Sequence, residues 1–383
     1  MGLRTAVGTG GALVAAGAAA DYSLNMQPGA TPTSRLVLDL HMLAFWVCLA
    51  IGALVFAVLA YSLVCHRRGR HPIPARFEHN APLETLWTLV PLLILIGLAL
   101  AATRTLILMA DTSNPDLTVK VTGYQWRWHY EYLDQGVAFF SNLATDREAI
   151  AGRAPKSEHY LREVDNPLVL PVGKKVRFLI ASNDVIHSWW VPALGWKQDA
   201  IPGFIHDAWA RIERPGTYRG QCAELCGKDH AFMPAVVVAR PEAQFQEWLD
   251  GRRAAARAES AAAARPWGQA ELLERGKGVY GRICAACHQV EGQGVPGVFP
   301  ALKGSPVTAG PLDAHLAVVL NGRPGTAMVA FGSQLSDADL AAVLTYERSA
   351  FGGVEQAVQP AEVESARARL KTPPLARGAG DPQ

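Results

Sequence analysis

The sequence predicts a multidomain membrane protein: a two-helix transmembrane hairpin, a small antiparallel β sandwich or barrel, and a small all-α unit. Three observations carry this. Two long apolar runs stand near the N-terminus, the middle third has short alternating segments broken by Gly, Pro, Asn and Asp, and the last third has helical patterns joined by Gly/Pro loops. At roughly 100–200 residues per domain, 383 residues fit two or three units. With 36 Lys+Arg against 34 Asp+Glu, the net charge of +2 excludes a strongly basic nucleic-acid binder and an acidic disordered chain. Six Cys are too few for a disulfide scaffold of this size, and four of them fall into two close pairs.

Residues 1–20 carry Arg4 and an Ala/Gly/Leu/Val stretch ending in three Ala before Asp21, which reads as a secretory signal peptide or as a disordered leader. The hairpin occupies 35–110. Its first span, 42–65, has no charged residue over 24 positions, about 36 Å of helix, enough for a bilayer core. The second, 85–108, contains Pro91, which neighbouring helices can accommodate, and Arg104, close enough to the helix end to snorkel. Between them lie His66, Arg67, Arg68, Arg70, His71 and Arg76, a short basic loop that the positive-inside rule places in the cytoplasm. Both termini, and everything after about residue 111, are then expected outside, where disulfides, copper and covalent haem are chemically available.

Runs such as Leu117–Val121 and Lys175–Ile180 give the β texture of 111–250. Residues 251–268 are Ala/Arg-rich and suit a helical or flexible linker. Helical stretches at 271–283 and 336–349 define the all-α unit, 269–352. The polar, Pro/Ala-rich 353–383 reads as a disordered tail with no core of its own.

One loop gathers metal-ligating side chains. Cys222, Cys226, His230 and Met233 lie within twelve positions, and thiolate and thioether are soft ligands that favour copper over hard cations. Cys and His at this spacing also suit zinc, and a Cys222–Cys226 disulfide is a third reading; Met233 tilts the choice toward copper, because structural zinc sites seldom use a thioether. His187, in Asp184-Val185-Ile186-His187-Ser188-Trp189-Trp190, ends a strand run at a position from which a barrel rim would bring it to this loop.

These segments, with Gly123-Tyr124-Gln125-Trp126-Arg127-Trp128 and the helical hairpin, occur in one order, and the region from about 35 to 250 resembles subunit II of haem–copper cytochrome c oxidases. The resemblance implies a cupredoxin Greek-key barrel holding a binuclear copper centre, CuA. Cys222 and Cys226 would bridge both coppers, His187 and His230 would each cap one, and Met233 and the carbonyl of Glu224 would be weak outer ligands. It also implies that the Glu224 carboxylate binds Mg or Mn at the boundary with subunit I. Trp126 aligns with the surface tryptophan through which an external cytochrome hands over its electron. Arg127 departs from the pattern, since relatives often have an aromatic there.

Cys284-Ala285-Ala286-Cys287-His288 is the c-type haem signature: two thiols bond the porphyrin edge and the adjoining imidazole ligates iron. A thioredoxin-like pair would want a βαβ context, and a zinc site a second Cys pair. His/Met ligation suits an electron shuttle, and Met328 is the only Met after His288. Its position before a helix resembles class I cytochrome c, whose haem-side loop Pro300 would match. Six Lys/Arg against seven Asp/Glu in 269–350 give no docking patch.

Glu84 opens the second membrane helix at its cytoplasmic edge, where an acidic side chain is a favourable dipole partner. The resemblance makes it the mouth of a proton path into subunit I. Together these readings describe a caa-type subunit II in a bacterial plasma membrane, with its metal domains on the periplasmic side. It would relay electrons from a cytochrome c or other donor through haem c and CuA to subunit I, where oxygen is reduced to water with proton translocation. The expected partners are subunits I and III, the donor and membrane lipid, with no nucleic acid. A CuA-type membrane nitric oxide reductase and a membrane-anchored copper-binding protein are the alternatives; a quinol oxidase is disfavoured because all the copper ligands are present.

Overall fold

The computed structural model describes residues 25–370, apart from 68, 71, 72, 74–77, 264, 324 and 333. The signal-like 1–20 and the basic residues Arg68, His71 and Arg76 therefore lie outside the described residues.

The first helix, α1 (Pro32–Cys65), starts ten residues ahead of the uncharged run. The reason is local: Pro32 suits a first helical turn, and Thr31 and Ser34 cap each other's backbone N–H groups. The cap is also a tether, because Thr31 Oγ1 donates to Leu194 O at 2.9 Å and Ala30 N–H to Ala193 O at 2.7 Å in the β unit. The second helix, α2 (Ala81–Ala110), ends beside that unit too, with Trp209 Nε1 donating to Leu108 O at 3.2 Å. Both helices are long and apolar enough to cross a membrane, and they expose residues such as Phe56 and Leu63 that would be costly in water. Their shared attachment at one end leaves Cys65 and Ala81 at the other.

Ten strands follow: β1 (Leu117–Tyr124), β2 (Arg127–Tyr132), β3 (Val137–Ser141), then a short helix α3 (Arg147–Ile150), β4 (Leu168–Pro171), β5 (Val176–Ser182), β6 (His187–Trp190), β7 (Lys197–Ala200), β8 (His206–Ala210), β9 (Gly216–Cys222) and β10 (Pro234–Arg240). They form two five-stranded sheets, β3-β2-β1-β5-β8 and β4-β10-β9-β6-β7. The sheets are mixed rather than purely antiparallel, because β1 runs parallel to β5 and β10 parallel to β4. Alternating texture reports burial on one face and carries no information about which strands, far apart in sequence, become neighbours. Trp128, Tyr130, Phe178 and Trp189 fill the space between the sheets, fully buried. Tyr132 ties them: its hydroxyl donates to Val169 O at 2.7 Å and accepts from Val169 N–H at 3.0 Å.

The helix α4 (Glu242–Ala263) begins on this unit and leads away from it. Phe245 and Leu249 are buried against the sheets, about 1.5–3 kcal/mol each. Arg252 and Arg253 still bind Asn166 and Gln135, so residues just past 250 belong to the β unit as well as to the connection.

The C-terminal unit comprises α5 (Gln269–Ile283), α6 (Ala285–His288), α7 (Pro306–Ala309), α8 (Leu312–Asn321), α9 (Asp337–Gly352) and α10 (Pro360–Leu370). Helices α5 and α9 cross at Gly276, where an added Cβ would fall 2.0 Å from Ala342 O; only glycine permits this approach. Residues 354–370, expected to be a disordered tail, are instead ordered. Val358, Val363 and Ala366 are buried in the same core as Leu316 and Leu340, and Arg367 pairs with Asp337 at 2.7 Å. Three small apolar side chains spaced along a polar segment were too sparse to mark a helix face.

Candidate metal centre

Strand register builds the first cluster. β6 and β9 pair antiparallel with Trp189 opposite Cys222, so His187, two residues before Trp189, shares the Cys222 face. The chain leaves β9 at Cys222 and returns at Met233, whose carbonyl accepts from Cys222 N–H at 3.3 Å and from Trp128 Nε1 at 3.3 Å. That closure folds the intervening loop over its own sulfurs.

Cys222 Sγ lies 3.9 Å from Cys226 Sγ, 3.9 Å from His187 Nδ1 and 3.3 Å from the Glu224 carbonyl oxygen. Cys226 Sγ lies 3.4 Å from His230 Nδ1 and 3.6 Å from Met233 Sδ. His187, Cys222 and Cys226 are all buried, with ligand atoms within 4.8 Å of one another. The sulfur separation is nearly twice the ~2.05 Å of a disulfide, and both cysteines are free thiols. Each sulfur thus has its own imidazole, with the carbonyl beside Cys222 and the thioether beside Cys226.

Contact with Cys226, and after it His187 and the backbone at Ser188 and Glu224, holds Cys222 below the ordinary thiol range against the cost of burial, while the contact with Cys222 and burial push Cys226 above it. Burial pushes His187 down, but Asp184 and Cys222 outweigh it and the net shift is upward. Asp184 Oδ1 accepts from His187 Nε2 at 2.9 Å, which leaves Nδ1 facing Cys222. Gly123 covers the other side of this ring, where a Cβ would lie 2.7 Å from His187 Cδ2. Two buried thiols, one buried and one half-buried imidazole, and a buried thioether fit a soft metal pair such as copper.

The haem motif sits where α5 ends. Cys284 and Cys287 are free, and burial pushes both above the usual thiol range. His288 Nδ1 donates to Pro300 O at 2.9 Å, fixing the tautomer that leaves Nε2 for a metal. Met328 is half-buried on the 323–331 loop, held by Arg323 N–H donating to its carbonyl at 2.8 Å. Its neighbours Ala327 and Val329 line a cavity of about 700 Å³ with Cys287, Phe299 and Phe331, within the size range of pockets that hold a compact organic ligand.

The same cavity reaches the copper loop. Trp126 lines it, and Trp126 Nε1 and Gln125 Nε2 donate to Cys226 O at 3.1 and 2.8 Å. Trp126, half-buried, therefore faces the chain's own C-terminal unit across this cavity. The Glu224 carboxylate is half-exposed on the copper loop. Glu84 joins neither cluster: it lies in the first turn of α2, about 36 Å by helix rise from Leu108, accepting from Asn80 N–H at 3.1 Å and paired with His79 at 2.9 Å. Asp184, a partner of the site, is signalled in the sequence only as an acidic residue three positions before a candidate ligand.

A β sandwich holding paired sulfurs and imidazoles, carried on a membrane hairpin and followed by a covalent-haem motif, defines a membrane-anchored redox protein. The comparisons agree part by part. The family model described as cytochrome C oxidase subunit II, periplasmic domain, matches residues 117–240, and the one for its transmembrane domain matches 19–104. Residues 271–346 match the model described as cytochrome C oxidase, cbb3-type, subunit III. The probable cytochrome c oxidase subunit 2 of Rickettsia conorii is 38% identical over 229 residues, covering 60% of this chain and 71% of the relative. Cytochrome c oxidase subunit 2 of Cereibacter sphaeroides is 37% identical over 274 residues, covering 65% and 90%. The crystal structure of the periplasmic domain of subunit II of cytochrome oxidase of Bradyrhizobium japonicum is 38% identical, covering 37% of this chain and 96% of that one, with a TM-score of 0.34. The chain belongs to the cytochrome c oxidase subunit II family, with a cytochrome c domain fused at its C-terminal side. The family implies CuA copper in the first domain and haem in the second.

Proposed function

We propose that this subunit passes electrons from a cytochrome c or other donor to subunit I of a respiratory oxidase, using haem c and then CuA. Subunit I would reduce oxygen to water while protons cross a bacterial plasma membrane, with subunit III completing the complex and the metal domains periplasmic. Bound here, the haem and the copper pair would each supply reversible one-electron transfer with no bond made or broken.

The chain's residues do the rest. Cys222, Cys226, His187, His230, Met233 and the Glu224 carbonyl would hold copper in a buried, close-packed setting that resists rearrangement as charge changes. Cys284, Cys287, His288 and Met328 would hold the haem, with Pro300 O orienting His288. The Glu224 carboxylate would bind Mg or Mn with ligands from subunit I, and Glu84 would take up protons at the cytoplasmic edge. The observation that supports the relay is the position of Trp126, hydrogen-bonded to Cys226 O and lining the cavity that Cys287 also lines.

The test is an optical and spin-resonance spectrum of the full-length protein purified with its partner. A hyperfine pattern from one electron shared by two coppers, beside a low-spin c-type haem, is expected. A single zinc in the Cys222/Cys226 site, or a haem that cannot reduce the copper, would overturn the proposal.

A further inference from the structure

Three cations of the copper domain reach across to the cytochrome domain. Arg127 is buried; its Nη2 donates to Gln334 Oε1, and its guanidinium lies 4.3 Å from the Phe140 ring centre on its own side and 6.0 Å from that of Phe331 on the other. Arg147, on α3, donates to Gly281 O in the last turn of α5. Lys228 donates to Ala286 O in α6 at 2.7 Å and stands 5.8 Å from the Phe299 ring centre. The three contacts surround the Trp126 cavity, which Arg127, Arg147 and Lys228 all line.

The acceptors share one property: none is charged. Two are carbonyls at or near helix C-terminal ends, where the last turn leaves acceptors without intrahelical partners and the helix dipole favours a cation. The third is a side-chain amide flanked by an aromatic ring. This is how a cytochrome domain with balanced charge can be gripped by cationic side chains, even though Asp146 and Asp229 stand beside Arg147 and Lys228 on the same face. Recognition by opposed charged patches is steered over long range and weakened by salt. A grip of donors on neutral acceptors is short-ranged and needs no steering, because a covalent connection already keeps the two domains together.

We infer that Arg127, Arg147 and Lys228 are positioning residues that lock the chain's own cytochrome domain onto the Trp126 face, fixing one pose for internal electron transfer and closing that face to external carriers. Arg127, buried between the Phe140 and Phe331 rings, is the central contact. The inference rests on the proposed haem-to-copper relay and adds where electrons can be received: only through the cytochrome domain.

The experiment is flash photoreduction of the haem in the full-length subunit within its purified complex, following arrival of the electron at copper. The unaltered protein is expected to show a single phase whose rate does not change with ionic strength or solvent viscosity. The triple variant Arg127→Ala, Arg147→Ala, Lys228→Ala is expected to slow transfer at least about tenfold and make it multiphasic and viscosity-dependent. Gln334→Ala, altering only the facing domain, should reproduce part of the loss and add little to Arg127→Ala, since the two share one contact. Unchanged haem and copper spectra in each variant exclude misfolding as the cause. Viscosity-dependent transfer in the unaltered protein, or unaltered single-phase kinetics in the triple variant, would overturn the lock. Absence of a copper pair or haem from the unaltered protein would instead overturn the relay itself.

Discussion

His187 Nε2 lies 2.9 Å from Asp184 Oδ1, and the second oxygen of that carboxylate accepts from Gln125 N–H at 2.8 Å. One acidic side chain thus links the candidate ligand to the backbone that carries Trp126. A ligand imidazole whose other nitrogen is fixed in this way keeps its orientation without metal, and losing such a partner typically costs about 10–100-fold in metal affinity. Asp184→Asn is expected to weaken copper retention by about that factor while leaving the β sandwich folded. Competition with a copper chelator, read by metal analysis and circular dichroism together, checks it; unchanged retention would remove Asp184 from the account.

Met328 tests the second centre. Leucine preserves volume and hydrophobicity within the cluster of Leu316 and Leu320 but removes the sulfur. If Met328 is an axial ligand, Met328→Leu keeps the haem covalently attached at Cys284 and Cys287, abolishes the sulfur-to-iron charge-transfer band of the oxidised protein and lowers the haem reduction potential. Spectroelectrochemical titration reads both changes. A retained band would assign the ligand elsewhere.

The membrane carboxylate has an observed structural contact and a proposed proton-uptake role, which one substitution separates. Glu84 accepts from Asn80 N–H at 3.1 Å, a helix-capping function that glutamine's oxygen can perform equally well. Glu84→Gln is therefore expected to leave helix α2 and the metal spectra intact. It should cut oxygen-reducing turnover of the assembled oxidase severalfold, because the amide cannot carry a proton. Turnover equal to the unaltered enzyme would reduce Glu84 to its structural role.

Much of this architecture is written locally. Uncharged length marks the two membrane helices, and the spacing of Cys222, Cys226, His230 and Met233 announces a loop whose sulfurs and nitrogens do converge. What the sequence withholds is everything set by long-range pairing. The register that sets Trp189 opposite Cys222, and so brings His187 to the loop, is a property of β6 and β9 together. The parallel neighbours β1 and β5 likewise have no signature in either strand. Trp126 illustrates the same limit: its identity suggests a surface contact, yet its surroundings are set by a domain whose motif begins at Cys284, over 150 residues later.

The C-terminal helix yields a last test because its contribution is measurable apart from any metal role. Val363 is fully buried on α10, and Val358 is buried in the same core, its N–H donating to Thr345 Oγ1 at 2.9 Å. Arg367 adds hydrogen bonds to Asp337 and to Leu335 O, pinning α10 to the start of α9. Burial of each valine is worth about 1.5–3 kcal/mol, so Val363→Ala, which keeps the helix but leaves a small cavity, should cost about 2 kcal/mol. Ending the chain after Gly353 removes both valines, Ala366 and the Arg367 contacts, and should cost more than twice as much. Thermal unfolding of the full-length protein, followed at the haem absorption band, reports on this domain selectively. An unfolding midpoint unaffected by both changes would mean that α10 rests on the domain without stabilising it.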